Sequence, residues 1–578
     1  MKKISIKSTN SKVSFEKFKG VDTRGSHRGA PSTEEIVNFR ILADGSLEKR
    51  EGYSLLCSLD APIRAVWTGK INGQPKCIAL SGDTVYSVDT QNGSTQVIAT
   101  VNSSEGAADF FYYRGYVYLV DGIQIYCIYS RSAKTPLGYV PLIGKEWSDN
   151  QIGEIYEPRN LLNPHGRITY RISEKATSIL RLNAPANRVE AVYINGENVS
   201  PSRYTLTNSP PAINVTGLSP FDFVEVIFTY ADNYEDEDAS SSLDALLKST
   251  RAIVFGGINN SRPFLFGSED ESVMFSSAYV SDESLKASQF AYPESDALYF
   301  PAGYEFTVGD GRYPISAVSR HYDRLLIFTE GGAWMADSGA CGTEEFPIMN
   351  INSSIGATAP SAVTVGNSPC TVGVDGVYLW RAETDELDDC NAYCISYEIN
   401  SYLPKEFFES AQIFADTLGG ELLFAFPNAD GVVWVYNAQM QGWSCFEGIF
   451  AEKFFSTYDR RLCFIAGSRL YAFDRANYLD EGEREIVGRL STGIIDFGSD
   501  DKKHMSALGL CTDGGSAKLT LSYDGDESNA SVVSIQAPDA HTYVKKRISS
   551  KRFKYLRLKL CADGDTRQRI HSIYLKTR

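Results

Sequence analysis

A short hairpin recurs along the chain and restricts what it can fold into more than any other feature. Each copy is an apolar strand, a brief turn usually rich in Gly or Asp, and a second strand carrying an aromatic residue. The first copies are Cys77–Leu80 with Val85–Asp89, Tyr116–Val120 with Ile123–Tyr126, Pro263–Phe266 with Val273–Phe275, and Arg324–Phe328 with Ala333–Met335. Three more follow: Thr371–Val374 with Val377–Trp380, Leu422–Phe426 with Val432–Tyr436, and Leu462–Ile465 with Leu470–Phe473. Most are spaced at about the 40–50 residues of a propeller blade. One such hairpin cannot bury both faces, whereas radially stacked units can, and a closed ring protects the sheet edges. The repeat predicts an all-β chain with a six- or seven-bladed β-propeller. A run of independent β-sandwiches would give hairpins at similar intervals.

The interval from Tyr126 to Phe275 is too long for one repeat. Within it, Arg167–Ile172, Val189–Ile194, Ser202–Leu206, Ala212–Val215 and Phe223–Tyr230 read as strands, with Asn195-Gly196 as a hairpin turn. These predict a β-sandwich inserted in a propeller loop over 146–242, returning through the polar run 232–242. Past 484 the repeat stops, and Gly493–Phe497, Ala517–Tyr523 and Phe553–Leu560 predict a C-terminal β-sandwich over 484–578. The expected organisation is an extended basic N-terminal arm at 1–30, propeller at 31–145 and 243–483, and the two sandwiches.

Composition agrees with strands: 33 Tyr, 30 Phe and 47 Gly in 578 residues suit short strands and tight turns. Net charge is −16, but residues 1–30 and 484–578 each carry +6, leaving −28 between them. The whole molecule should repel nucleic acid rather than bind it broadly. Of eleven cysteines, Cys77, Cys127, Cys463 and Cys511 sit in apolar runs. They read as small buried hydrophobes of a protein folded in a reducing compartment. Cys390 and Cys394 have no second Cys/His pair beside them for a zinc site. The first residues lack the apolar stretch of a secretory signal, and no window suggests a membrane span.

Catalytic signatures are missing from the sequence. There is no sialidase Asp box, no H-E-x-x-H, no G-x-S-x-G, and no Walker or dinucleotide loop. His27, His165, His321, His504, His541 and His571 form no pair at ligand spacing, so no enzyme, cofactor or metal is expected. The acidic runs 232–238 and 383–389 read as solvated loops. Residues 545–559 hold eight cations in fifteen positions with Phe553 and Tyr555 interleaved. That suits the outer face of a strand, docking on an acidic protein, or a nucleic-acid face.

The most specific pattern is the opening: Phe18–Asp22 (FKGVD), Ala30–Arg40 (APSTEEIVNFR) and Asp44–Tyr53 (DGSLEKREGY). With Arg262–Phe266 (RPFLF), Met274–Ser277 (MFSS), Tyr299–Pro301 (YFP), Gly309–Gly311 (GDG), Ile315–Ala317 (ISA), Leu325–Trp334 (LLIFTEGGAW) and Ser491–Gly498 (STGIIDFG) before Lys502-Lys503, it resembles the bacteriophage tail nozzle, or packaged-DNA-stabilisation, family. The matches span most of the chain outside 146–250. The resemblance implies a structural virion protein made in the host cytoplasm. It would form a ring, expected to be a hexamer, that continues the DNA channel, retains the genome and permits its ejection. Implied partners are portal, adaptor, fibres or spikes, and genomic DNA sliding past an acidic wall without sequence-specific contacts. Loops 141–165 and 336–352 are candidate gates. Docking is expected through Lys2, Lys3, Lys7, Lys12, Lys17, Lys19, Lys545, Lys546, Arg547, Lys551 and Arg552. The alternative is a virion adhesin or glycan-binding propeller using the inserted sandwich.

Overall fold

A computed structural model describes residues 11–23, 32–129, 132–232, 237–256, 261–268, 272–337, 347–381, 391–538 and 541–578. The protein is all-β, with a few short helices. Each of the seven hairpins found in the sequence forms the two middle strands of a four-stranded antiparallel set. Sheet I is Ile63–Ile71, Gln74–Ser81, Thr84–Val88 and Thr95–Thr100; sheet II is Asp109–Tyr113, Tyr116–Val120, Ile125–Tyr129 and Ser132–Lys134. Sheets III, IV and V begin at Arg251–Phe255, Ile315–His321 and Ala362–Val365. Sheet VI runs from Gln412–Asp416 to Gly442–Phe446. Sheet VII takes Lys453–Ser456, Leu462–Ala466 and Arg469–Asp474, and its fourth strand, Gly52–Ser58, comes from near the N-terminus.

The middle strands read as unbroken apolar runs because both faces are covered. Successive residues point to opposite faces, and each face packs on a different neighbour. In sheet I, Ile78 and Leu80 join Val117 and Leu119 of sheet II. Cys77 and Ala79 instead join Cys463 and Ile465 of sheet VII. In sheet II, Tyr118 and Val120 turn the other way, to Leu265 and Phe275 of sheet III. The same alternation links III with IV, IV with V, V with VI and VI with VII, so the succession returns to its start. Burial pushes the Cys57 thiol up to about 11 and Cys77 and Cys463 up to about 12, which suits the reading of Cys77 and Cys463 as packed hydrophobes. Cys511 differs: it is only half-buried.

Between sheets II and III the chain builds two sheets on one apolar core. One contains Leu142–Ser148, His165–Arg171, Ala186–Ile194, Glu197–Asn198 and Phe223–Tyr230; the other contains Ile179–Arg181, Tyr204–Asn208 and Pro211–Val215. Asn195 and Gly196 turn with φ of 53° and 84°, as the dipeptide predicts. The first strand starts at Leu142, earlier than the expected boundary at 146, and pairs parallel to His165–Arg171. Of the candidate gate 141–165, Leu142–Ser148 and His165 are held in this sheet, and 149–164 is turn and loop. Of the other candidate, 338–346 lies outside the described residues, and Ile348–Asn352 is a strand of sheet IV. The stretch read as a polar return is partly the helix Glu237–Leu247, anchored by buried Leu246.

The terminal region departs most from expectation, because four early strands join it. In a six-stranded sheet, Arg569–Thr577 pairs with Met505–Asp513, Leu47–Lys49 and Lys12–Phe15. Phe39–Ile41 and Thr542–Arg547 complete that sheet. A nine-stranded sheet runs from sheet VI through Thr33–Val37 and Gly488–Thr492 to Leu556–Asp563, Ser516–Tyr523 and Asp526–Gln536. Residues 12–22 are not a free arm, since Phe15, Phe18 and Val21 are buried in the same core as Trp443, Leu508 and Leu560. The extended arm expected over 1–30 is therefore corrected for residues 12–22, and deleting 2–19 would remove two aromatics from this core.

Candidate interaction face and central cavity

Cross-strand register decides which of the expected docking residues meet. In an antiparallel sheet, directly opposed residues share a face. One row reads Lys12, Lys576, Ala507, Arg547, and the row two residues on reads Ser14, Tyr574, Gly509, Lys545. The rows between carry Leu508, Leu575, Leu510 and Ile573, all fully buried. The outer face of the six-stranded sheet thus gathers Lys12, Lys545, Arg547 and Lys576, with Tyr543 and Tyr574 among them. All four cations are exposed, and among the described residues none is in an ion pair.

The aromatic residues order this face. Lys12 Nζ lies 4.5 Å from the centre of the Tyr574 ring, a cation–π distance. Tyr574 and Tyr543 meet edge to face at 5.8 Å. Tyr543 lies across Gly509, where a Cβ would fall 2.5 Å from the phenol oxygen, so a side chain there would displace the ring. The other expected docking residues lie apart. Lys546 belongs to the row of buried Leu508, and Lys551 Nζ donates to Asn529 Oδ1 at 3.2 Å. Lys17 sits by the turn at Gly45, while Lys19 and Arg552 are exposed elsewhere. Lys2, Lys3 and Lys7 lie outside the described residues. Lys576 was missed because it stands alone in the sequence; only pairing with Lys12 marks it.

A second feature is a cavity of about 590 Å³ lined by the first strand of every one of sheets I to VII. Its wall carries both signs of charge: Arg64, Arg251 and Lys453 beside Asp109 and Glu452. Arg251 Nη1 donates to the carbonyls of Ser316 and Pro360, each at 2.6 Å, tying sheet III to IV and V. Arg64 donates from Nη1 to Gly82 O and Ser103 O and from Nε to Gly106 O. Burial raises the Asp109 carboxyl, against the pull of Lys453 and Arg251. This volume lies within the range of small-molecule pockets, about 300–1,000 Å³.

Among the described residues no helix is long and apolar enough to cross a membrane. No known protein-family model matches the chain, and no curated protein does. Several solved structures align with most of the chain at low similarity. The PorZ component of the type-IX secretion system of Porphyromonas gingivalis aligns with 76% of this chain at 10% identity and a TM-score of 0.34. This chain spans 45% of that protein, less than half its length. The AfRom2 CNH domain aligns with 73% of the chain, and 99% of its own length, at 6% identity and TM-score 0.35. The WD40 domain of SCAP from fission yeast aligns with 72%, and 92% of its own length, at 9% identity and TM-score 0.28.

Proposed function

We propose that sheets I to VII are the blades of a seven-bladed β-propeller, that the 142–230 insertion and the terminal sheets are β-sandwiches, and that the chain is a structural subunit of a phage tail nozzle. The observation carrying this reading is that two distant segments of the nozzle-like pattern are neighbours. Thr33 and Glu35 of the opening motif pair with Thr492 and Ser491 of the terminal one, and Ile36 pairs with the adjoining Leu490. The two ends of the resembling pattern then share one sheet, while its middle segments lie in sheets III and IV or beside them.

The rest of the molecule suits that role. A wall that holds a genome under pressure needs a body without hinges, and the nine-stranded sheet joins propeller to terminal sandwich in one hydrogen-bonded plane. The basic face offers exposed cations to an acidic neighbour in the tail, where complementary charge sets partner choice and association rate. The central cavity, about 590 Å³, has the size of a small-molecule pocket. DNA would run between copies arranged as a hexameric ring, past surfaces whose net negative charge keeps phosphates from sticking.

Quantitative mass spectrometry of gradient-purified particles, normalised to the portal protein, tests the reading. A copy number near half that of the portal, with labelling at the tail tip, is the expected result. Recovery only in the soluble fraction overturns it.

A further inference from the structure

The outer face of the six-stranded sheet holds a second group of side chains, brought together from three strands. Cys511 and Asp513 alternate onto that face, as do His541 and Tyr543 at the head of the edge strand. His571 reaches it by an irregularity. Ser572 pairs with Cys511 and Ile570 with Thr512, and the slip between them leaves His571 as the extra residue of a β-bulge. Bulges re-aim side chains in this way.

The resulting geometry is close. Asp513 Oδ1 is 3.2 Å from His541 Nδ1, and Oδ2 is 2.9 Å from His571 Nε2. One ligand atom from each of the three lies within 4.8 Å of the others. Tetrahedral zinc with bonds of about 2.0–2.2 Å sets its ligands roughly 3.3–3.6 Å apart, so small side-chain adjustments would suffice. His571 Nε2 is shielded from solvent and faces the Asp513 carboxylate, with no well-formed hydrogen bond among the described residues. Its lone pair is available to a metal ion. Cys511 Sγ sits 3.2 Å from His541 Nε2, the other ring nitrogen. From there it would fix the ring and leave Nδ1 free to ligate, as outer-shell partners of metal-bound histidines do.

We propose that Asp513, His541 and His571 bind a divalent transition metal of the zinc class. Two imidazole nitrogens and one carboxylate favour zinc, cobalt or nickel over calcium or magnesium, which take oxygen ligands. Three protein ligands leave one position for water or for a side chain of a docking neighbour. Within the chain the ion would staple the strand Thr542–Arg547, which among the described residues pairs only with Met505–Asp513, and so stiffen the strand that carries Lys545 and Arg547. The site stands on its own geometry and holds whether or not the chain is a tail protein.

Full-length protein stripped with a chelator is titrated with zinc by calorimetry and with cobalt by absorption. One equivalent is expected to bind at micromolar or tighter affinity, with a tetrahedral cobalt spectrum and a zinc-dependent rise in Tm. Asp513→Asn, nearly isosteric and expected to fold, should weaken binding at least about tenfold. The His541→Ala/His571→Ala double variant should abolish it, while Cys511→Ser keeps the stoichiometry. No heat and no Tm shift with zinc overturns the proposal. So does undiminished binding by Asp513→Asn and the double variant, since the metal would then sit elsewhere.

Discussion

The insertion at 142–230 and the seam around residues 12–58 reach an apolar core by opposite routes. Every buried residue of the insertion's core lies between Ile143 and Tyr230, so one continuous stretch supplies both sheets. The seam's core takes Phe18, Ile36 and Phe39 from the start, Phe424 and Trp443 from sheet VI, and Leu508, Leu560 and Ile573 from the end. Local cores form and open as units, whereas cores assembled from distant segments fail together. The insertion should therefore behave as a separable cooperative unit, and the seam as the element on which the rest of the fold depends.

The largest test is aimed at the seam's buried ion pair. Arg50, 1% exposed, donates to both carboxylate oxygens of Asp480 at 2.8 and 2.7 Å, and its Nε donates to Asn38 Oδ1 at 2.9 Å. Asp480→Ala strands a buried guanidinium and should cost about 3–5 kcal/mol. In urea it is expected to lower the seam transition while leaving a second, insertion-associated transition in place; one merged transition would remove the contrast. Next in size are two core truncations. Phe18→Ala should destabilise the seam by about 3–5 kcal/mol. Ile168→Ala should cost about 2–5 kcal/mol, confined to hydrogen exchange within 142–230.

A smaller effect separates the regions by pH. Glu421 in sheet VI is pushed up to about 7 from its ordinary 4.5, first by burial and then by Glu51 and Asp416, against the pull of Arg40. The folded state then holds this proton where the unfolded chain has lost it. Glu421's contribution is fully present below about 4.5 and falls away as pH rises through 7. Glu51, lowered despite burial by its Arg40 partner, acts in the opposite sense at lower pH. Glu421→Gln should remove a decline on the order of 1–3 kcal/mol between pH 5 and 8, read as a flatter pH profile of the seam transition alone. Smallest is charge reversal at Lys545 and Arg547. Both are exposed, so the change should move stability by about 0.5 kcal/mol or less, yet block assembly with an acidic neighbour in a binding assay.

What could be read from the sequence follows from what is local. Turn residues and period-two apolar runs sit within a few positions of each other, so the middle hairpins of all seven sheets were visible. The partners of Thr33–Val37 and Gly52–Ser58 lie hundreds of residues away, and nothing near them specifies that pairing. The helix Glu237–Leu247 escaped because its acidic and Ser-rich start looks like a linker. On the candidate face, the 545–559 cations stood out as a run. Lys576 and the meeting of His541 with His571 depend on cross-strand register and on a bulge.

The strand that completes sheet VII has a consequence in time. Gly52–Ser58 leaves the ribosome early, but its partner Arg469–Asp474 follows about 410 residues later. At roughly 5–20 residues per second, that is about 20–80 s of waiting. During that interval an apolar strand would stand unpaired, the condition under which edges recruit neighbouring chains. Slow initiation or chaperone cover of the nascent strand would then favour yield, and sheet VII would be completed only once Arg469–Asp474 has been made.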